Sequence, residues 1–366
     1  MNERRTSSIR PPATPQALGY RMPAEWEPHE ATWLAWPHHR TDWPGKLGVI
    51  PWVFAEVARH LCQGERVRLL VESRMERQKA ERTFERANVD LEKVDFVLAG
   101  TNRSWTRDYL PLFVTKKSAA GKSDVIAVKW RFNGWARYRD HELDNLAGVK
   151  VARRFSRRVI RPKDSSGFLV LEGGSVDVDG EGTVLTTEEC LLTGARARAK
   201  HLSREQMERV LADYLGIEKV IWLGSGIAGD DTSGHVDDFA RFVAPGRVVI
   251  STESRRSDRN WAPLRAAQQA LSVARDARGR QLDVVPLPMP APLIYDGQRL
   301  PASYANFYIA NGRVLVPTFN DPNDRVALRV IEQLFPNRQV VGIHAADLVL
   351  GLGTLHCSTM QHPLSY

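Results

Sequence analysis

Two hydrophobic rhythms alternate along this chain: short runs of valine and leucine opened by glycine, and longer stretches with one apolar face per helical turn. Gly182-Thr183-Val184-Leu185, Gly246-Arg247-Val248-Val249 and Gly312-Arg313-Val314-Leu315 each read as a glycine turn entering a β-strand. Their valines recur at intervals of about 64 and 66 positions, which predicts a repeated module. A polar loop, a helix and a further strand follow each one. In the first repeat Ser203 and Gln206 have capping-box spacing. Met207, Val210, Leu211, Tyr214 and Leu215 share one face, Gly216 is the stop, and Val220-Ile221-Trp222-Leu223 is the next strand. The third repeat places Ala327, Val330, Ile331 and Leu334 on a helix before Val340-Val341-Gly342-Ile343. Nearer the N-terminus, Val53, Phe54, Val57, Ala58 and Leu61 predict a helix leading to a strand at Val67–Val71. Phe168-Leu169-Val170-Leu171 reads as another strand, and the proline-rich stretch Pro286–Pro301 as a loop over one face. Roughly 350 residues divided by a period of about 65 to 70 gives five strand–helix units. No Pro/Gly/Ser linker divides them, so the expectation is one α/β domain over residues 21–366.

Composition narrows the setting. The chain has 366 residues, 43% of them hydrophobic and 26% charged, which suits a globular protein with a sizeable core. No apolar run reaches the roughly 20 residues of a membrane span. Residues 1–20 carry Arg4, Arg5 and Arg10 with several prolines and no apolar core segment, so they read as a disordered leader and not as a signal peptide. Cys62, Cys190 and Cys357 are too far apart to suggest a disulfide framework and fit a reducing, cytoplasmic compartment. The net charge of +8 raises nucleic-acid binding, but the basic stretches Arg153–Lys163 and Ala195–Arg209 interleave no aromatics and match no recognition motif. They read as solvated faces.

The polar residues that could carry chemistry keep the same interval. Asp108, Glu172, His235 and Cys357 are separated by about 64, 63 and 122 positions, so each module would contribute one side chain to a common centre. In Gly234-His235-Val236-Asp237-Asp238 an extended backbone would turn His235 and Asp237 to the same side. That pair could begin a metal site, but no second histidine or cysteine cluster has ligand spacing, and no metal is expected. His356 adjoins Cys357, yet neighbours on a strand face opposite ways, so His235 is the expected base. His29, His38 and His39 read as polar surface beside the aromatic segment of Trp33 and Trp36. Glu172 could orient an imidazole, and Gly173-Gly174 allow close backbone approach. Carboxylates around a thiol disfavour the thiolate, so the arrangement makes sense if the substrate brings positive charge. A guanidinium fits, being planar, cationic and able to pair bidentately with carboxylates. Its carbon is the electrophile, which points to guanidine C–N cleavage with ammonia leaving.

Residues 21 to 363 resemble the agmatine deiminase family, the bacterial-type peptidylarginine deiminases of the pentein superfamily. The resemblance is carried by Met22-Pro23-Ala24-Glu25-Trp26-Glu27-Pro28-His29-Glu30, Trp105-Thr106-Arg107-Asp108, Phe132-Asn133-Gly134-Trp135, Leu171-Glu172-Gly173-Gly174-Ser175, Gly234-His235-Val236-Asp237, Ala302-Ser303-Tyr304-Ala305-Asn306-Phe307 and Leu355-His356-Cys357. It implies a five-module pseudo-symmetric α/β propeller with its active site at the central channel. It implies Cys357 as nucleophile, His235 as general acid/base with Glu172 beside it, Asp108 and Asp237 on the guanidinium nitrogens, and Trp105 as a pocket wall. The implied activity is hydrolysis of agmatine to N-carbamoylputrescine and ammonia, without metal or organic cofactor, nucleic acid or membrane, and it leaves a homo-oligomer open. Deimination of free or peptidyl arginine is the alternative within the same chemistry; an inactive basic propeller that binds nucleic acid or a partner is the alternative outside it. One departure stands out: Gly351-Leu352-Gly353-Thr354 replaces the Gly-Gly-Gly-Asn type of run usual before the nucleophile.

Overall fold

Valine-rich strands with helices returning over them form five sheets of three or four strands each, and two short hairpins lie outside these sheets. The computed structural model describes residues 13–117 and 123–365. Four of the five sheets share one plan, an antiparallel pair followed by a helix and a parallel strand. Leu112–Lys117 pairs antiparallel with Ser123–Val128, which runs parallel to Val159–Ile160 after the helix Glu142–Phe155. Asp177–Val178, Thr183–Thr187 and Lys219–Leu223 repeat this around the helix Arg204–Leu215. Ala240–Ala244, Arg247–Thr252 and Asp283–Pro288 do so around Trp261–Val273, and Tyr308–Ala310, Arg313–Thr318 and Gln339–His344 around Pro322–Leu334. In the remaining sheet the C-terminal strand Met360–Pro363 returns antiparallel to His29–Ala35, which is followed by parallel strands Arg66–Val71 and Val94–Leu98. The first and last strands of the described residues are thereby hydrogen-bonded into one sheet.

The glycine-led strands and the helices between them form where the periodicity predicts. Ser203 and Gln206 make a reciprocal capping box, Met207, Leu211 and Leu215 are buried, and Gly216 ends the helix at φ 71°. Three expectations fail. Residues 168–171 do not form a continuous strand: Gly167–Phe168 belongs to a two-residue hairpin and Val170 makes only an isolated bridge to Arg131. The run has no neighbouring ladder to complete it, and it passes directly into the turn Gly173–Ser175. Within Pro286–Pro301 the first residues finish the strand Asp283–Pro288, and Ile294–Tyr295 pairs with Gln298–Arg299 as a hairpin. The expected leader extends too far as well. Residues 1–12 lie outside the described residues, but Gln16–Leu18 is a 3-10 turn and the Tyr20 hydroxyl donates to Asp124 at 2.5 Å.

Ser203 is exposed and its hydroxyl accepts from the Gln206 amide at 3.2 Å. We predict that Ser203→Ala costs about 1 kcal/mol of stability and lowers Tm by about 1–3 °C. Thermal melts monitored by circular dichroism check this; an unchanged Tm would show the cap contributes nothing.

Candidate active site

Short, irregular turns at the ends of the sheets carry every expected site residue. Thr106–Tyr109 is a single helical turn that holds Asp108. Glu172 caps the turn Gly173–Ser175, His235 precedes the 3-10 turn Val236–Asp238, and Cys357 sits in the helical turn Leu355–Ser358. The extended geometry assumed for His235 and Asp237 is therefore wrong, as is the strand assumed for His356 and Cys357. A turn nevertheless brings His235 Nδ1 to 3.9 Å from Asp237 Oδ1. His356 does turn away from the thiol: its Nδ1 lies 2.6 Å from Asp237 and its Nε2 2.7 Å from Glu25. His29, read as surface, is also buried, with Nε2 2.7 Å from the Glu25 carbonyl.

The side chains converge on one another. His235 is fully enclosed, with Nδ1 3.8 Å from Asp108 and Nε2 3.8 Å from Glu172. Cys357 Sγ lies 3.9 Å from Asp237 Oδ2 and accepts from the Asn306 amide at 3.2 Å. Gly174 lets them meet. A Cβ there would fall 2.5 Å from His235 Nδ1, 3.0 Å from Asp237 and 3.1 Å from Asp108. The Gly174 amide donates to Asp108 at 3.1 Å, and Trp135 Nε1 donates to its other oxygen at 2.8 Å. Cys357 and Asp108 open onto a cavity of about 260 Å³ whose walls include Trp105, Trp135, Tyr138, Asp231 and Leu352. Two donor groups of metal-ligand type occur here, Glu172 with Cys190 and His235, and Asp237 with Asp238 and Cys357. The ion pair from Arg198 to Glu172 already places a cation beside the first.

Burial and mutual repulsion set the electrostatics. Burial pushes Asp108 up to about 6, with Asp237 and Glu172 adding to the rise. Burial also works against charge on Glu172, but Arg198 and His235 hold that carboxyl down to about 2. His235 is the reverse case: burial disfavours its cation, yet Asp108 and its other neighbours raise it well above the ordinary imidazole range. The Cys357 thiol is driven well above its usual value by burial, then by Asp237, Asp238 and Asp108. The unliganded site therefore holds a neutral thiol among carboxylates and can release its proton readily only when positive charge enters.

Known proteins resemble this chain over nearly its whole length. The sequence profile of the Porphyromonas-type peptidyl-arginine deiminases matches residues 21–363. The chain belongs to that family. It is 37% identical to the agmatine deiminase of Pseudomonas aeruginosa strain LESB58, over 96% of this chain and 98% of the relative. The agmatine deiminase of Pseudomonas syringae pv. tomato is likewise 37% identical, over 97% and 98%. Among solved structures, the Enterococcus faecalis agmatine deiminase superposes with a TM-score of 0.88 at 34% identity, covering 96% of this chain and 98% of that one. An amidinotransferase from Microseira wollei shares the fold alone, with a TM-score of 0.52 at 11% identity.

Sequence reasoning overlooked four residues of this deiminase-family site. Trp135 and Asn306 lay inside quoted motifs without a role; an aromatic ring directly after Gly134 and an amide between Ala305 and Phe307 were the available signals. Glu25 also lay in a motif; its carboxylate receives Arg107, Arg241, His356 and the Ile309 amide. Arg198 lay in a stretch dismissed as solvated, and only the fold reveals its burial.

The thiol's position among carboxylates yields a direct expectation. Asp237→Asn removes the nearest negative charge, so Cys357 should alkylate with iodoacetamide about three- to tenfold faster at pH 8. Peptide mass mapping over time separates Cys357 from the two other buried cysteines. An unchanged rate would mean that Asp237 does not govern the thiol.

Proposed function

We propose that this chain is an agmatine deiminase, hydrolysing agmatine to N-carbamoylputrescine and ammonia in the direction of putrescine. The observation that carries the proposal is the buried thiol facing carboxylates on a small cavity, a combination useful for a substrate that is itself a cation. In this reading Asp108 and Asp237 hold the guanidinium nitrogens by charge-assisted hydrogen bonds, and Trp105 lies along the plane of the group. The arriving charge lowers the thiol, which gives its proton to solvent as the sulfur bonds to the guanidinium carbon. The imidazolium of His235 gives its proton to the departing nitrogen, and ammonia leaves. Neutral His235 then takes a proton from water, which attacks the thiouronium; as the C–S bond breaks, the new hydroxyl gives its proton to the departing sulfur, so that the carbonyl forms and the thiol is restored. Residues 21–366 act as one catalytic unit, a five-module pseudo-symmetric propeller, which the recurrent antiparallel-then-parallel sheets support. The three free cysteines and the absence, among the described residues, of a helix long and apolar enough to cross a membrane suit a cytoplasmic enzyme.

The cavity mouth favours agmatine over arginine. Arginine would bring an α-carboxylate, which calls for a free guanidinium or ammonium. The arginine lining the cavity, Arg103, is already committed to Asp42 and Asp140. Asp231, which receives the Tyr138 hydroxyl at 2.5 Å, instead suits a terminal ammonium. Leu350 and Leu352 offer an apolar wall to the methylene chain. Leu352 does so from a left-handed backbone at φ 67°, a conformation that glycine adopts more easily.

Steady-state comparison of agmatine, arginine and a blocked arginyl peptide should rank agmatine first by at least about a hundredfold in kcat/KM, the scale expected when a buried polar group is left without a partner. Enzyme quenched during agmatine turnover should carry a mass increment on Cys357, and Cys357→Ala should release no ammonia. Preference for either arginine substrate, or an active Cys357→Ala variant, overturns the assignment.

The raised Asp108 carboxyl fixes the acid side of the pH profile. An acid pushed up to about 6 is ionised only above that pH, so kcat/KM for agmatine should fall as pH drops through about 6. Trp135→Phe deletes a hydrogen bond that favours the ionised form, and the limb should then move to higher pH. A flat profile down to pH 5 would exclude Asp108 as a charged partner of the substrate.

A further inference from the structure

The proton carrier His235 makes no close ring hydrogen bond, although it is enclosed by three carboxylates at 3.8–3.9 Å. Something else must hold that charge distribution in place. Arg198 lies just beyond the turn Glu189–Thr193, anchored by its amide to the Cys190 carbonyl at 3.0 Å. Its side chain is completely buried, and each guanidinium nitrogen has an assigned acceptor. Nε donates to Glu172 Oε1 at 2.8 Å, Nη2 to the Thr232 carbonyl at 2.7 Å and Nη1 to the Arg196 carbonyl at 2.9 Å. The other Glu172 oxygen is the one that faces His235 Nε2. Thr232 lines the cavity, and its hydroxyl accepts from the His235 amide at 3.3 Å. The two other buried arginines near the centre, Arg107 and Arg241, spend their charge on Glu25 and Asp177. Among the described residues, Arg198 is the arginine that neutralises Glu172.

We propose that Arg198 is the positioning residue for His235: it fixes the Glu172 carboxylate, as an anion, beneath Nε2 and ties it to the Thr232 carbonyl of the cavity loop. The guanidinium fork suits this work because it stays charged and presents its donors in one plane, which a lysine ammonium cannot reproduce. Arg198 touches neither substrate nor reacting atoms in this scheme. Its effect runs through Glu172, which without a neighbouring cation would titrate like any buried carboxyl and cease to favour the imidazolium. The inference rests on His235 being the proton carrier of the proposed deiminase.

Full-length Arg198→Met and Arg198→Lys enzymes test it through agmatine kinetics from pH 5 to 9, with melting temperature measured on the same samples. Arg198→Met should lose about a hundredfold in kcat with KM within about threefold, because a transition-state proton transfer is affected while guanidinium binding is not. Its kcat should also acquire an acid limb at higher pH than wild type. Arg198→Lys, which keeps the charge but not the fork, should fall between the two with an acid limb close to wild type. A lower melting temperature with unchanged kcat and pH profile in the folded fraction would assign Arg198 a purely structural role and overturn the proposal. Should Arg198→Met not fold, wild-type kcat in Arg198→Lys overturns it equally. An inactive wild type sinks the deiminase reading itself, whereas active variants beside an active wild type sink only the role of Arg198.

Discussion

Repulsion among carboxylates collected in a dry centre is the constraint on which the rest of this molecule depends. Asp108, Glu172, Asp237 and Asp238 are all buried around one imidazole and one thiol. Isolated charges in such a place are strongly disfavoured unless paired, and the chain pairs them unequally. Glu172 has Arg198, Asp237 has His356, and Glu25 beneath them gathers Arg107, Arg241 and His356. Asp108 is served closely only by neutral donors, the Trp135 indole and the Gly174 amide. Its carboxyl is accordingly the one of this trio with Glu172 and Asp237 that rises. The charge deficit is thus concentrated at the floor of the cavity, where a cationic substrate would arrive.

Holding these groups together also distorts the backbone locally. Trp135 and Ala136 follow Gly134 in the left-handed region, Ser233 precedes Gly234 there, and Leu352 adopts it between two glycines. Such conformations are unfavourable for residues with a Cβ and persist where surrounding contacts over-determine them. Each lies beside a group that matters: Trp135 delivers its N–H to Asp108, Ser233 leads into His235, and Leu352 lines the cavity above Cys357. The glycines of the same loops serve close approach. A Cβ on Gly351 or Gly353 would press onto Trp105 at 2.7 and 3.0 Å.

Much of this was legible in the sequence, for a physical reason. The glycine-led strands and amphipathic helices encode their structure locally, so the period of about 65 residues and the members of the polar set could be read directly. Local geometry at the site could not be read, because residues in turns lack a regular period. His235 and Asp237 were expected on one face of a strand and meet instead across a 3-10 turn. Arg198 illustrates a deeper limit. Flanked by alanines and arginines, it has the composition of a solvated surface, and only the approach of Glu172 and Thr232, 26 and 34 residues away along the chain, encloses it. His29 was misjudged for the same reason, since its partners Glu25 and Glu65 are meaningful only after the sheet forms.

The relation between Cys357 and its neighbour His356 brings these strands of argument together. Adjacency in sequence suggests a thiol–imidazole pair, yet His356 is bound on both ring nitrogens by carboxylates and serves to hold Asp237 in place. Asn306 then fixes the thiol from the other side, while its carbonyl accepts the Thr354 hydroxyl at 2.7 Å. A histidine paired to the sulfur would stabilise a thiolate in the absence of substrate, exposing it to oxidation and alkylation. Placing carboxylates nearest the sulfur has the opposite effect. It keeps the thiol protonated while the cavity holds no cation, and under the proposed function the same charge that identifies the substrate would also generate the nucleophile.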